Sequence, residues 1–357
     1  MISFEQERNE YKNKVGKQKE AIANLLNLSE SHTGLFDSGM IKQLKGYQVK
    51  CEKLYNKLDK NEFEIAIVGL EKAGKSTFGN ALIKNQILPD ADERCTYTST
   101  CIRYGQDRAL VRFFSFVEMD EILRGYLKTI GVENVESYTY QNLLKNDYMN
   151  LFVKLDQRDQ DRYENTVHRD ILNLLDNKSE IISNYLGKPD KIFEGEELYK
   201  DEFKKYIVSS KVAVAVKEVS IESSRLENLQ NAVIYDVPGF DSPTGMHLEQ
   251  TKQRMKEADA IMLIAAADKP SFTAPALSMF QEVVDEDNVS FVDKLFIFGN
   301  RADHASTLAK NIETLKNEAM RWKLLSGTQL NERLMVGSAK AHLQKLNVIH
   351  GSECIKK

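Results

Sequence analysis

Apolar positions recur at helical spacing through residues 5–60: Ile22, Leu25 and Leu26, then Ile41, Leu44, Leu54, Tyr55 and Leu58, with charged residues between them. This spacing predicts two amphipathic helices, with Thr33-Gly34 and Ser38-Gly39 as the punctuation between them. From residue 62 the pattern changes. Short β-rich apolar runs at 64–68, 232–235, 260–265, 294–298 and 334–337 read as buried strands, and 94–104 and 109–115 read as two more. Helical spacing returns between them: after residue 76 (Thr77, Phe78, Ala81, Leu82, Ile83), then over 248–258, 272–284 and 305–325. Strands alternating with helices predict an α/β core, a mostly parallel sheet flanked by crossover helices.

The alternation breaks at 117–205, a polar, helix-rich stretch in which Ile171, Leu172, Leu174, Leu175, Ile181, Ile182 and Tyr185 keep helical phase. Val212, Val214, Val216, Val219 and Ile221 then alternate, which predicts that 208–221 rejoins the sheet as a strand. Residues 117–205 therefore read as a large helical insertion, and long insertions usually carry function or bind a partner. The few residues after Lys340 leave little room for a closing helix, and no return helix is present to pair with 5–60. The expectation is a piece of a longer protein, organised as amphipathic helices at 1–60, a core domain at 61–345 and a truncated or flexible tail at 346–357.

Composition narrows the class. The chain has 357 residues, 42% of them hydrophobic and 29% charged, which fits one large globular domain with additions. A net charge of −4 argues against generic nucleic-acid binding. No apolar run approaches the roughly 18 residues of a membrane span, and the first six residues, Met1 to Gln6, lack the apolar stretch of a secretory signal. The four cysteines, Cys51, Cys95, Cys101 and Cys354, fit no metal spacing and read as reduced thiols in the cytoplasm.

The chemistry is concentrated at strand ends. Gly69-Leu70-Glu71-Lys72-Ala73-Gly74-Lys75-Ser76 is the phosphate-binding pattern G-x-x-x-x-G-K-[ST], set between a predicted strand and a predicted helix. Gly69 and Gly74 allow the tight path and positive φ. Backbone N–H groups from Lys72 to Thr77 surround an anion at the helix start. Lys75 reaches the β- and γ-phosphates, and the Ser76 hydroxyl ligates Mg²⁺. Downstream, Asp236-Val237-Pro238-Gly239 ends the 232–235 strand: Asp236 holds the Mg²⁺ shell through water, and the Gly239 N–H meets the γ-phosphate. Asn300-Arg301-Ala302-Asp303 ends the 294–298 strand. A buried Asp303 accepts from guanine N1–H and the 2-amino group, donors that adenine lacks, so ATP would leave it unpaired. Ser338-Ala339-Lys340 presents a backbone N–H toward guanine O6. Thr96 is placed to close over Mg²⁺ and the γ-phosphate, although Thr98, Ser99 and Thr100 beside it carry the same hydroxyl and any of them can equally be a strand residue. Asp236 has a second reading as a strand-end turn residue, and Asp303 as the N-cap of the following helix. Together these motifs, in this order, predict a P-loop GTPase fold that binds GTP or GDP with Mg²⁺.

The stretch Gly69 to Thr77, with Asn80-Ala81-Leu82, Leu88-Pro89, Cys95-Thr96 and Ile102-Arg103-Tyr104-Gly105, resembles the dynamin superfamily of large GTPases, and most of all the bacterial dynamin-like proteins. The resemblance covers 62–116 and 206–345. It implies GTP hydrolysis stimulated by nucleotide-dependent homodimerisation across the GTPase face. It also implies a stalk that remodels membrane or organises a partner, so that a cytoplasmic protein reaches the membrane periphery through a C-terminal region absent here. Arg301 departs from the usual lysine of the fourth motif, but its stem can still cover the guanine plane. Phe240 stands where Ras-type proteins carry the water-positioning glutamine. By resemblance to dynamins, Glu71 takes the water-orienting position, and Lys72 takes the position of a charge-compensating cation or internal arginine finger. The alternative is a slow GTP switch whose insertion binds a protein partner, for example in chromosome partitioning or export.

Overall fold

Along the first core strand, side chains alternate between two hydrophobic clusters: Ile67 joins one and Ala66 and Val68 the other, all fully buried. A strand with both faces covered must be apolar at consecutive positions, which is why this run shows no polar alternation. In the computed structural model, which describes residues 4–32, 34–69, 73–88, 100–237, 252–272 and 290–349, the chain divides into two compact units, 1–63 and 64–357.

The first unit is a helical hairpin, α1 (Phe4–Ser31) and α2 (Ser38–Lys60). Ion pairs Lys12–Asp59 and Lys19–Glu52 (2.6 Å) join the two helices, and Val15 and Leu26 are buried. Asp37 accepts from Met40 N at 2.7 Å and caps α2. Ser38-Gly39 therefore lies inside the first turn of α2 and does not separate the helices, because the aspartate satisfies the first free N–H groups one residue earlier.

The second unit is built on a nine-stranded sheet in the order β4-β3-β5-β2-β6-β1-β7-β8-β9. The strands are β1 (Phe63–Gly69), β2 (Thr100–Tyr104), β3 (Arg108–Phe113), β4 (Lys191–Glu194), β5 (Val216–Ser223), β6 (Ala232–Asp236), β7 (Ala260–Ala266), β8 (Leu295–Asn300) and β9 (Leu334–Val336). β1, β7, β8 and β9 run parallel in sequence of neighbours, so Gly69, Ala266, Asn300 and Val336 end on one edge, where α/β sheets bind ligands. β2 pairs β6 antiparallel and β5 parallel, and β3 pairs β4 and β5 antiparallel. The helix α3 (Lys75–Ile83) follows β1.

The insertion is mostly helical: α4 (Phe116–Thr129), α5 (Lys145–Val153), α6 (Gln157–Tyr163), α7 (Arg169–Asp176), α8 (Lys178–Asn184) and α9 (Asp201–Val208), with a π-helical turn at Glu164–His168. It is not a separate module. Leu123, Tyr140, Tyr148, Ile171 and Phe203 share one cluster with Ile67 and Ile102 of the sheet. The insertion also contributes the edge strand β4, which polar spacing hid in the sequence. The strand expected over 208–221 begins only at Val216. Val212 lies in the short helix α10 (Ser210–Ala213), where burial on a helical turn overrides the alternation of valines. β3 ends at Phe113, and Ser115 caps α4 instead of extending the strand.

That cap is a full capping box. Ser115 Oγ accepts from Glu118 N at 3.2 Å, and Glu118 accepts from Ser115 N at 2.8 Å. Lys217 of β5 pairs with the same carboxylate, and these donors pull its pKa down to about 2. The folded-state pKa lies below the ordinary value, so the stabilisation is present above pH 4.5 and is lost as pH falls toward 2. Glu118→Ala is expected to cost about 1 kcal/mol of unfolding free energy at pH 7 and clearly less at pH 3, measured by urea unfolding at both pH values.

Residues 252–257 are helical before β7, α11 (Phe291–Lys294) leads into β8, α12 (Leu308–Arg321) and α13 (Gln329–Arg333) lie between β8 and β9, and α14 (Ala339–Lys345) follows β9. α12 lays Leu315 and Ala319 on the second cluster. It starts later than expected: Thr307 is its N-cap, and Asp303 sits in a 3₁₀ turn, Ala302–His304, so Asp303 does not cap it. A short closing helix, α14, does fit after β9, with Ser338 accepting from Ala341 N at 3.0 Å as its cap. Residues 273–284 of the helix expected over 272–284, residues 248–251 of that over 248–258 and the strand portion 94–99 lie outside the described residues, as do Cys95 and Cys354. Cys101 is buried, and burial pushes its thiol up to about 11, away from reactive thiolate chemistry. No helix among the described residues is long and apolar enough to cross a membrane.

Candidate nucleotide site

The end of β1 and the start of α3 form the phosphate cradle. Gly74 is the N-cap of α3 at φ 82, the left-handed region that a side chain rarely adopts, and a Cβ there would run into Asn300 Nδ2. Gly69 is needed for a different reason than expected. It is not in the left-handed region; instead its Cβ would stand 2.5 Å from Ile264 O of β7, so the close approach of two strands requires it. Ala73 and Gly74 are buried, and Ser76 and Thr77 half-buried at the first turn of α3, where the N-terminal N–H groups of a helix and its dipole favour an anion. Lys75 turns back along the loop and donates to Gly69 O at 3.3 Å. Leu70, Glu71 and Lys72 lie outside the described residues.

Asp236 ends β6 as predicted. Val237 N–H donates to Ile67 O at 3.3 Å, which sets this strand end beside β1. The Asp236 side chain is fully buried, and neither carboxylate oxygen has a hydrogen-bond partner among the described residues. Burial pushes its pKa up to about 6, with Lys75 pulling in the opposite direction. A buried carboxylate whose oxygens meet no donor among the described residues, next to the predicted phosphate loop, is an environment suited to a hydrated cation. Gly239, Phe240 and Thr96 lie outside the described residues.

Asn300 joins the phosphate loop to the base loop. Its Nδ2 donates to Ala73 O at 3.1 Å and Gly74 O at 3.2 Å, and its Oδ1 accepts from Ala339 N at 3.0 Å. The side chain is buried. The Ala339 N–H is thus held by Asn300. Two backbone bonds, Gly337 N to Gly299 O at 2.9 Å and Ala302 N to Gly337 O at 3.1 Å, clamp the same loops. Arg301 adopts a left-handed backbone, φ 66, and its guanidinium pairs with Asp268 at 3.1 Å. Asp303 is 27% exposed beside His304 rather than buried, leaving its carboxylate reachable from solvent. Lys340 is exposed. Asp268, in the turn after β7, escaped sequence reasoning; an acidic residue following an apolar strand, one strand before the Asn-Arg-x-Asp segment, was the available signal.

The structure therefore brings together Gly69, Ala73, Gly74, Lys75, Ser76, Asp236, Asn300 and Ala339 around the ends of neighbouring strands. Arg301, Asp303 and Ser338 sit on the adjoining loops. Among the described residues no group of acidic, histidine and cysteine side chains forms an all-protein metal cage. Mg²⁺ at phosphate sites does not require one, since one or two carboxylates, water and the phosphates themselves usually hold it.

Comparison with known proteins places this geometry in a family. Dynamin-like protein A of Bacillus subtilis (strain 168) is 24% identical over 279 residues, covering 75% of this chain and 21% of that protein. The chain thus spans about a fifth of that relative's length. A solved structure of an oligomerised bacterial dynamin pair, described as providing a mechanism for the long-range sensing and tethering of membranes, superposes with a TM-score of 0.50. It is 19% identical and covers 96% of this chain and 49% of its own, a likeness of fold. Residues 65–298, well over half the chain, match the Dynamin family, and the chain belongs to that family of GTPases.

Proposed function

We propose that residues 61–345 bind GTP with Mg²⁺ and hydrolyse it to GDP and phosphate. The observation that carries this reading is Asn300, which ties the phosphate loop at Ala73 and Gly74 to the base loop at Ala339 with one buried side chain. Such a link makes phosphate and base binding a single event. Asp303, on the same turn as Asn300 and still accessible, accepts the two donors of guanine. Arg301, steadied by Asp268, covers the base plane with its stem.

Mg²⁺ fits the site because the buried oxygens of Asp236, which have no partner among the described residues, suit a hydrated cation. When bound, it offsets the charge that develops on the transferring phosphoryl group. Ser76 and Thr96 are its proposed direct ligands and Asp236 its partner through water. Lys75 meets the β- and γ-phosphates. Glu71 orients the attacking water and Lys72 neutralises charge between the β- and γ-phosphates, in place of the glutamine that Phe240 replaces. Self-association across the nucleotide face stimulates turnover, and the cycle drives membrane tethering or remodelling. The oligomerised bacterial dynamin pair supports that extension.

Calorimetry with GTP and ATP tests the base assignment. The parent is expected to prefer GTP, and Asp303→Asn to lose about 10- to 100-fold in GTP affinity, the worth of hydrogen bonds to a charged acceptor, while gaining on xanthosine triphosphate. Equal affinity of the parent for ATP and GTP would overturn it. GTP turnover per molecule that stays constant as protein concentration rises would remove the dimerisation step.

A further inference from the structure

Thr100, the first residue of β2, is fully buried, and its hydroxyl has no hydrogen-bond partner among the described residues. It stands directly opposite Asp236 in the antiparallel ladder between β2 and β6. Opposed residues in such a ladder project to the same face of the sheet, with Cβ atoms about 5 Å apart. The hydroxyl and both carboxylate oxygens of Asp236 are thus three buried polar atoms on one small patch, unpartnered among the described residues. They do not bond each other directly. Burying polar atoms without partners is unfavourable. One donor facing two acceptors across such a gap is the arrangement that a water molecule completes.

We propose that Thr100 is a positioning residue of the Mg²⁺–nucleotide site: its hydroxyl holds, together with Asp236, a water of the cation's hydration shell. The inference rests on the nucleotide reading above. Mg²⁺ keeps several of its waters when bound, so a fully buried carboxylate reaches it through them, and a second protein group is needed to orient each water. Thr100 is the group that the strand register supplies. A purely structural threonine would be indifferent to the cation, since valine has the same shape and a similar preference for strands.

The test is release of a fluorescent GDP derivative from the parent, Thr100→Val and Thr100→Ser, titrated with Mg²⁺ from EDTA upward. The Mg²⁺ midpoint of Thr100→Val is expected to rise about tenfold, the usual effect of losing an outer-shell partner. Thr100→Ser, which keeps the hydroxyl, stays close to the parent, and release in EDTA is the same for all three. Should valine's second methyl crowd the strand and prevent folding, Thr100→Ala takes its place. An unchanged midpoint in the variant lacking the hydroxyl overturns the proposal, and so does an equal shift in Thr100→Ser, or a change already present in EDTA. A parent that fails to bind GDP, or binds it with no response to Mg²⁺, overturns the nucleotide reading itself and is recognised in the parent alone.

Discussion

Lys75→Ala is expected to weaken GTP and GDP binding by about 100-fold, the effect of truncating one partner of a buried charge pair. Turnover at saturating nucleotide should fall by at least as much, since a preorganised cation facing the transferring group is lost. The reason is positional. Lys75 opens α3, lies along the loop with Nζ 3.3 Å from Gly69 O, and is the cation nearest in effect to the buried Asp236. On the proposed nucleotide reading, its ammonium would meet the β- and γ-phosphates beside the cation's shell. Arginine is no substitute, because its broad planar head does not fit a cradle shaped for a point charge. Titration calorimetry in the presence of Mg²⁺, with a thermal melt of the free protein as a folding control, checks this. Binding within threefold of the parent would mean that the phosphates lie elsewhere.

Asp236→Asn is expected to move stability and function in opposite directions. The parent's carboxyl is pushed up to about 6 in the fold, against 3.8 for the ordinary group. Below pH 3.8 it is protonated in both states and contributes no difference. Between 3.8 and 6 the folded state binds more protons than the unfolded one, so the parent loses stability as pH rises. Above pH 6 the penalty is complete and constant. Keeping this carboxylate ionised in the fold then costs about 3 kcal/mol as an upper bound. The nucleotide-free asparagine variant should therefore melt higher than the parent at pH 7.5, with the gap closing toward pH 4. Its nucleotide affinity should lose its response to Mg²⁺, because a neutral amide no longer attracts the cation's shell. Saturating Mg²⁺ and GDP should reverse the order of melting temperatures by stabilising the parent alone. A variant that melts lower at pH 7.5, or a gap that ignores pH, would show that Asp236 is held by structure and carries no stored electrostatic cost. Functional sites commonly retain such destabilising groups.

The candidate site was legible in the sequence where chemistry is local. Gly69 to Ser76, Asp236, Asn300 to Asp303 and Ser338 to Lys340 each follow a short apolar run, and a strand end followed by a turn is a local event that spacing reports. The helical hairpin was legible for the same reason. Boundaries failed where tertiary burial competed with periodicity: Val212 and Val214 alternate like strand residues yet precede β5, and Ser115 continues an apolar run yet caps a helix. β4 was missed because an edge strand of four residues has too little alternation to register.

The sequence by itself determined the family, the order of the motifs and the parallel α/β core, because each follows from residues adjacent in the chain. Three matters were decided only by the tertiary structure. The insertion shares the sheet's core, since Tyr148 and Ile171 join one cluster with Ile67 and Ile102, strand residues distant in the chain. Asn300 binds the phosphate loop more than two hundred residues away, and Asp268 binds Arg301, through contacts that no spacing encodes. The facing of Thr100 and Asp236 arises from the register of β2 on β6, which sets two polar side chains on one buried face, with no hydrogen-bond partner for either among the described residues.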